Sequence, residues 1–216
     1  MNDIAIYGAG GFGKEVASLI RIINESLLEP EWNLIGFFDD GKEIGCQISH
    51  YGKVIGGINE LNVYDKNLSL VVAVGNPIAI KSIVSKISND RVAFPNLVHP
   101  KVVYTDPETF RIGKGNIIQG GCAFSCDVSI GDFNVMNGSV VFGHDDVIGS
   151  YNVFMPAIRV SGDVIIGESN FFGVGSIILQ QIKIGNSIRL GAGSVLMTKP
   201  KDGKLYIGNP ARKTEL

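Results

Sequence analysis

Cysteine is scarce in this chain of 216 residues, with only Cys46, Cys122 and Cys126 at irregular spacing. An odd, uneven set builds no disulfide scaffold and matches no zinc-ligand pattern, so a reducing, cytoplasmic setting without a bound metal is expected. Charge is thin too: 19% of residues are charged against 45% apolar, and the net charge at pH 7 is -2. The basic residues are scattered, which leaves no electrostatic footprint for nucleic acid. Long apolar runs are also missing. The first, Ile4 to Tyr7, has the length of a strand, and nothing approaches the roughly 18 residues of a membrane span; no targeting segment is read either. Histidine occurs only three times, at His50, His99 and His144.

Glycine, by contrast, is abundant at 28 residues, and its placement is periodic. The pair Ile-Gly begins at Ile112, Ile130, Ile148, Ile166 and Ile184, a period of 18. Stepping by six from Ile112 meets Ile118, Phe124, Ile130, Met136, Phe142, Ile148, Phe154, Val160, Ile166, Phe172, Ile178, Ile184, Leu190 and Leu196, all apolar. A helix repeats near 3.6 and a plain strand at 2. Six grouped in threes therefore predicts three short strands per turn of a parallel β-coil, with each of these residues pointing inward. Glycines after inward residues, among them Gly113, Gly131, Gly143, Gly149, Gly167, Gly173, Gly185 and Gly191, are expected to supply permissive backbone angles at the corners. Asn116, Asn134, Asn152 and Asn170 keep the same period, which predicts a structural ladder of stacked amides.

The first half follows another pattern. Ile4 to Tyr7 reads as a buried strand running into Gly8-Ala9-Gly10-Gly11-Phe12-Gly13, and Lys14 to Leu28 carries apolar residues at helical spacing. Glycines at 8, 10 and 13 fit GxGxxG in its strand-turn-helix context, where a ligand's phosphates meet the helix N-terminus. A second strand, Asn33 to Phe38, ends at Asp39-Asp40, which suits ribose hydroxyls although it lies farther along than the NAD arrangement expects. Leu70 to Val74 supplies a third strand before Gly75-Asn76-Pro77 and a helix through Ile87, and Val92 to Pro95 a short fourth. About 95 residues accommodate one mononucleotide-binding half, so a mononucleotide or nucleotide-sugar fits better than a dinucleotide. The organisation read is a nucleotide-sugar-binding α/β domain over 1–95, an irregular lead-in over 96–111, the coil over 112–198 and a terminal segment over 199–216.

On the coil's frame Phe142 is inward, Gly143 follows it, and His144 is outward. It is the only histidine on the regular coil, since His50 and His99 fall in loop or linker. Its reference pKa near 6.5 suits a general base near neutral pH. Asp145 is the first choice for a carboxylate that fixes its tautomer and Asp146 the second. Asp146 occupies a site equivalent to Val128 and Val164, so it can point inward, where an unpartnered carboxyl costs roughly 2 to 7 kcal/mol. Cys122 reads as core packing, and Ser139, Ser150 and Ser161 as small packing residues rather than nucleophiles.

These features together resemble the NeuD and PglD type of sugar O-acyltransferase and sugar-nucleotide acetyltransferase over nearly the whole chain. The marks are Ile4 to Glu15, Gly36-Phe37-Phe38-Asp39-Asp40, Val74-Gly75-Asn76, Leu97-Val98-His99-Pro100, Gly143-His144-Asp145 and Gly208-Asn209-Pro210-Ala211. The resemblance implies a Rossmann-like first domain, a left-handed β-helix of hexapeptide repeats, and a cytoplasmic homotrimer with an acetyl-CoA site in each cleft between neighbours. It implies His144 as the base and Asp145 as its support. Gly8, Gly10, Gly11, Asp39, Asp40, Gly75 and Asn76 would surround the acceptor's nucleotide. Backbone around Gly173, Gly175, Ser176, Gly191 and Gly193 would meet coenzyme A, with Lys213, Lys199, Lys201 or Arg212 on its phosphates. Val153 stands where close relatives often carry a second histidine near the thioester, and Arg159 is expected near the cleft.

The activity expected is acetyl transfer from acetyl-CoA to an amino group on a nucleotide-linked sugar. An O-acetyltransferase acting on a sugar hydroxyl such as that of a sialic acid is the alternative enzyme, and a non-catalytic nucleotide-sugar-binding trimeric scaffold is the alternative of another class.

Overall fold

A computed structural model describes residues 1–214. The first domain is a parallel sheet of five strands: β1 (Asn2–Tyr7), β2 (Trp32–Phe38), β3 (Val54–Gly56), β4 (Leu68–Val72) and β5 (Val92–Ala93), ordered β3-β2-β1-β4-β5. The helices are α1 (Gly11–Ser26), α2 (Ile58–Asn62) and α3 (Pro77–Lys86). Helix α1 forms because Val16, Ala17, Leu19, Ile20 and Ile23 fall on one stripe, and all five are buried. Strand β3 and helix α2 were missed from sequence, where 54–62 shows neither a full strand alternation nor a full helical stripe. Chain order reverses between β1 and β4, so a crevice opens beyond the carboxyl ends of these strands. Gly8 fixes its floor: φ is +111° and an added Cβ would lie 2.6 Å from the Ala73 carbonyl oxygen.

From Leu97 onward the chain winds into a coil of two-residue strands on three faces. The first face stacks Leu97–Val98, Ile117–Ile118, Val135–Met136, Val153–Phe154, Phe171–Phe172 and Arg189–Leu190. The second stacks Val103–Tyr104, Ala123–Phe124, Val141–Phe142, Arg159–Val160, Ile177–Ile178 and Val195–Leu196, and the third runs from Arg111–Ile112 to Lys183–Ile184. Every residue of the six-step series is the second member of its strand, and all but the partly buried Ile112 are fully buried. Their rings stack along the axis, as with Phe124 on Phe142 at 5.4 Å and Phe154 on Phe172 at 4.8 Å. The coil starts within the segment read as lead-in, since Leu97–Val98 and Val103–Tyr104 already pair with the next rung. His99 therefore belongs to the first rung. Leu205–Gly208 adds to the first face and folds back on Ala211–Thr214 as an antiparallel pair.

Two expectations about backbone need correcting or extending. The corner angle with positive φ falls three residues after each inward side chain, at Asp127, Phe133, Ser139, Asp145, Tyr151, Ala157, Asp163, Ser169, Gln181 and Ser187, not on the glycines that follow it. Those glycines are needed for room between rungs: a Cβ on Gly143 would meet the Gly162 nitrogen at 2.5 Å, and one on Gly173 the Ala192 nitrogen at 2.5 Å. The asparagine ladder runs as expected and begins one member earlier. Asn96 Oδ1 accepts from the Asn116 amide at 2.9 Å, each later asparagine repeats the contact, and Asn170 Oδ1 ends the series on the Ile188 N–H at 2.7 Å.

The first domain is seated on the outer side of the coil's first face. Leu97, Ile117, Val135 and Val153 point outward there and are buried with the domain's own core. Phe94 packs edge-on against Phe133 at 5.0 Å, and Lys81 pairs with Glu168 at 3.1 Å. This seating accounts for Val153. It is fully buried between Val135 and Phe171 under the first domain, so it is a packing residue and does not face the corner that carries His144.

Candidate active site

His144 lies on the corner between the second and third faces, in the sequence Gly143-His144-Asp145-Asp146. Its side chain is 61% exposed, and Nδ1 lies 2.7 Å from Asp145 Oδ2. Asp145 reaches back because it takes the left-handed corner conformation, φ 59°, while its N–H donates to the Cys126 carbonyl at 3.1 Å. The carboxylate holds the Nδ1–H tautomer and turns the Nε2 lone pair to solvent. It also raises the His144 pKa, with smaller contributions from the charges of Asp146 and Asp163. The ring rests on the next rung, where a Cβ on Gly162 would come within 2.5 Å of Nε2. Gly162 was overlooked in the sequence, although it lies 18 residues after His144, one rung by the coil's own period.

Asp146 turns inward. It is fully buried, Oδ1 accepts the Val164 N–H at 2.9 Å, and Oδ2 has no partner. Burial pushes its pKa up to about 7.

The glycine loop and the acidic pair meet at the crevice of the first domain. Asp39 accepts from the Ala9 N–H at 2.7 Å and the Gly41 N–H at 2.8 Å; Asp40 accepts from the Tyr7 hydroxyl at 2.6 Å and the Ile58 N–H at 2.8 Å. Both carboxylates therefore brace the loops, with lone pairs to spare for a ligand. Tyr7 was not foreseen in this role. Gly13 packs against the Gly8 carbonyl, whereas Gly10 and Gly11 face open space. Helix α1 has no side-chain cap and no acidic residue in its first turn, which leaves its leading N–H groups for an anion. A cavity of about 330 Å³ beside it is lined by Gly10, Gly11, Lys14 and Lys42. Across the crevice, Gly75 borders open space while the Asn76 side chain caps α3 at the amides of Ile78 and Ala79, 3.0 and 3.1 Å.

The crevice continues toward the coil. A cavity of about 380 Å³ touches Phe12, Glu15 and Gly75 on the domain side and Asn137, Met155 and Phe171 on the coil side. Met155 and Phe171 carry on into a groove of about 230 Å³ along Gly173, Val174, Gly191, Ala192 and Leu205. This groove follows the stretches 173–176 and 191–194, whose backbone is expected to meet coenzyme A. The N–H groups of Gly173, Gly175, Ser176, Gly191 and Gly193 all donate to carbonyls inside the coil, and the Ser176 side chain is buried. Among the described residues, the amides of Val174 and Ala192 make no such bond. Only the position of a residue on the corner, not its type, gives these two away. Lys213 sits in the last strand opposite Tyr206, and Lys199, Lys201 and Arg212 are exposed. Arg159 lies flat on the second face, donating to the carbonyls of Ser139 and Ile158.

His144 lines none of these cavities. The first domain covers the first face, while the base stands on the corner between the other two. Among the described residues no group of three or more His, Cys, Asp or Glu is arranged to hold a metal ion, and no helix is long and apolar enough to cross a membrane.

A nucleotide-type α/β crevice joined to a parallel β-coil with an outward His-Asp pair defines a sugar acyltransferase of the left-handed β-helix class. Residues 3–87 match the PglD N-terminal domain. No curated protein matches the chain by sequence. Its whole length superimposes on PerB from Caulobacter crescentus, solved with CoA and GDP-perosamine, at TM-score 0.88 and 27% identity, covering 100% of this chain and 98% of that one. The acetyltransferase domain of PglB from Neisseria gonorrhoeae, in complex with acetyl coenzyme A, matches at 0.87 and 27%, covering 99% and 100%. WeeI from Acinetobacter baumannii matches at 0.86 and 26%, with the same coverages. Residues 3–87 carry the PglD N-terminal domain, and the whole chain is similar to sugar acetyltransferases of the NeuD/PglD type.

Proposed function

We propose that this protein transfers the acetyl group of acetyl-CoA to an amino group on a nucleotide-linked sugar, with His144 as general base. The observation that carries the reading is the His144–Asp145 pair, 2.7 Å apart on an exposed corner with Nε2 uncommitted. Its likeness to a solved complex holding both CoA and GDP-perosamine supports the choice of donor and of acceptor class.

Residues 1–95 hold the nucleotide, with its phosphates at Gly10, Gly11 and Lys14 and its remaining polar groups near Asp39, Asp40, Gly75 and Asn76. The groove from Met155 to Ala192 is apolar and exposes two spare amides, a fit for a pantetheine arm. The acceptor nitrogen attacks the thioester carbonyl, the carbon becomes tetrahedral, and His144 Nε2 takes the proton that the nitrogen sheds. Collapse breaks the C–S bond, and the proton passes to the departing thiolate, giving free CoA and the acetamido sugar. Asp145 stabilises the imidazolium in between.

The crevice and the base stand on different corners of one chain, which favours a site completed by a second copy. The outward row of the coil's second face is apolar at Val103, Ala123, Val141, Ile177 and Val195, with Val103 58% exposed, and is interrupted once, by Arg159. Such an apolar strip on a soluble coil suits self-association, and a homotrimer around this face would bring His144 of one subunit to the crevice of the next. Release of free thiol from acetyl-CoA with a panel of amino nucleotide-sugars tests the activity. Turnover only with free sugars, or an unimpaired His144→Ala protein, would remove the reading.

A further inference from the structure

We propose that Asp146 is a positioning residue for the base: its buried carboxyl, wedged under the Gly143-His144-Asp145 corner, tunes the proton affinity of His144 from inside the coil. The proposal rests on reading His144 as the base and goes beyond it by giving a role to a group that touches no substrate.

Asp146 breaks the pattern of the coil at one point. The equivalent residues one rung before and after are Val128 and Val164, both fully buried, and the interior around them is built from Phe124, Phe142, Ile148, Phe154 and Val160. Among the described residues Asp146 is the only carboxyl that is fully buried. Valine would fill the site with no loss of solvation, whereas a carboxyl there has one oxygen bonded to the Val164 N–H and the other to nothing. A sequence that departs from its own repeat at a cost in stability does so most often at a functional site. Here the departure falls two residues after the base.

The geometry links the two groups. The Val164 N–H ties Asp146 to the rung on which the imidazole rests, through Gly162 and the Asp163 N–H that donates to the His144 carbonyl at 2.8 Å. The charged neighbours of His144 are Asp145, Asp146 and Asp163, and those of Asp146 are His144 and Asp145. Asp145, bonded to the ring, contributes most to the raised His144 pKa; Asp163 is at the surface, where water screens it, while the smaller contribution of Asp146 passes through the low-dielectric coil. Burial pushes Asp146 up to about 7 and the neighbouring carboxylates raise His144, so the charge on each alters the proton affinity of the other.

The test uses the full-length protein with Asp146→Asn, which keeps the shape and the bond to Val164 but removes the charge, and with Asp146→Val, which restores the repeat. The first readout is the NMR titration of the His144 ring, which needs no turnover. It is expected to move to lower pH in both variants by on the order of half a unit. The second is the acidic limb of the kcat profile, expected to shift the same way while kcat drops several-fold and KM for acetyl-CoA stays put. Asp146→Val is expected to melt above the wild type although it is the slower enzyme. An unchanged His144 titration in Asp146→Asn overturns the proposal. A shifted titration in a protein that acetylates no nucleotide-sugar would sink the proposed function and leave the coupling standing.

Discussion

The His144 imidazole lies flat on Gly162, so close that a single added Cβ would stand 2.5 Å from Nε2. The base is thus held between its carboxylate partner on one rung and bare backbone on the next. Gly162→Ala should push the ring off this seat. A displacement of about 1 Å at the reacting atom costs on the order of 100-fold, so kcat should fall by 10- to 100-fold, roughly, with KM for acetyl-CoA unchanged. Steady-state kinetics on both substrates checks it.

Asp145 raises the His144 pKa, and the active form of a general base is the deprotonated one. In wild type the acidic limb of activity should therefore sit above the usual histidine value. Asp145→Asn should shift that limb to lower pH and lower the plateau by about tenfold or more, because the base is weaker and its tautomer no longer fixed. A pH-rate profile from 5 to 9 reports both effects, and an unmoved limb would contradict the assignment.

Asp146 gives a stability signature of opposite sign to that of a salt-bridged acid. Its folded pKa, near 7, exceeds the ordinary carboxylate value of 3.8, so between these two pH values the native state binds more protons than the unfolded one. Stability from this group is full below about pH 4, falls as pH rises, and levels off above about pH 7. The stability of Asp146→Val relative to wild type should therefore grow across that window, toward a ceiling of about 4 kcal/mol, and the gap in melting temperature should widen with it. Thermal melts at pH 4.5, 6 and 8 measure it.

The amide ladder carries stability and not chemistry. Asn134 donates to Asn116 Oδ1 and the Gly149 carbonyl and accepts from both the backbone and side chain of Asn152. Asn134→Leu leaves buried partners on two rungs unpaired, at about 2 to 4 kcal/mol. Denaturant melts should show the loss, while the kcat of protein that remains folded is unaltered.

Ile177→Arg places a second arginine beside Arg159 on the otherwise apolar second face. If that face joins subunits, the variant should sediment as a monomer and lose acyl transfer while still binding the nucleotide at the first domain. Analytical ultracentrifugation and isothermal titration give the two readings, and an active monomer would exclude a shared site.

The coil could be read from sequence almost residue by residue because its inward positions obey one arithmetic, and a slip of one step would expose every one of them. His144, Asp145 and Asp146 were placed by the same count. What escaped depended on geometry that residue type does not encode. The left-handed corners fall on Asp, Ser, Phe, Tyr, Gln and Ala alike, so glycine was a poor guide to them. Within the stretches 173–176 and 191–194, that the spare amides are those of Val174 and Ala192 is a matter of which N–H groups the coil leaves over. Val153 could be aligned with a histidine of relatives, but only the seating of the first domain shows that this side chain is covered.

That seating has one more consequence. The first domain grips the coil at Leu97, Ile117, Val135 and Val153, and neighbouring rungs in such stacks lie about 4.8 Å apart. The height of the nucleotide crevice along the axis is therefore locked to whole rungs, and so is the height of His144. An insertion of 18 residues between Val135 and His144 would add one turn to the coil and move the base by a full strand spacing from Leu97, Ile117 and Val135, more than a rotation of the imidazole can make up. Substrate length and rung number are geared together, and a relative built for a longer acceptor would be expected to change by an entire turn.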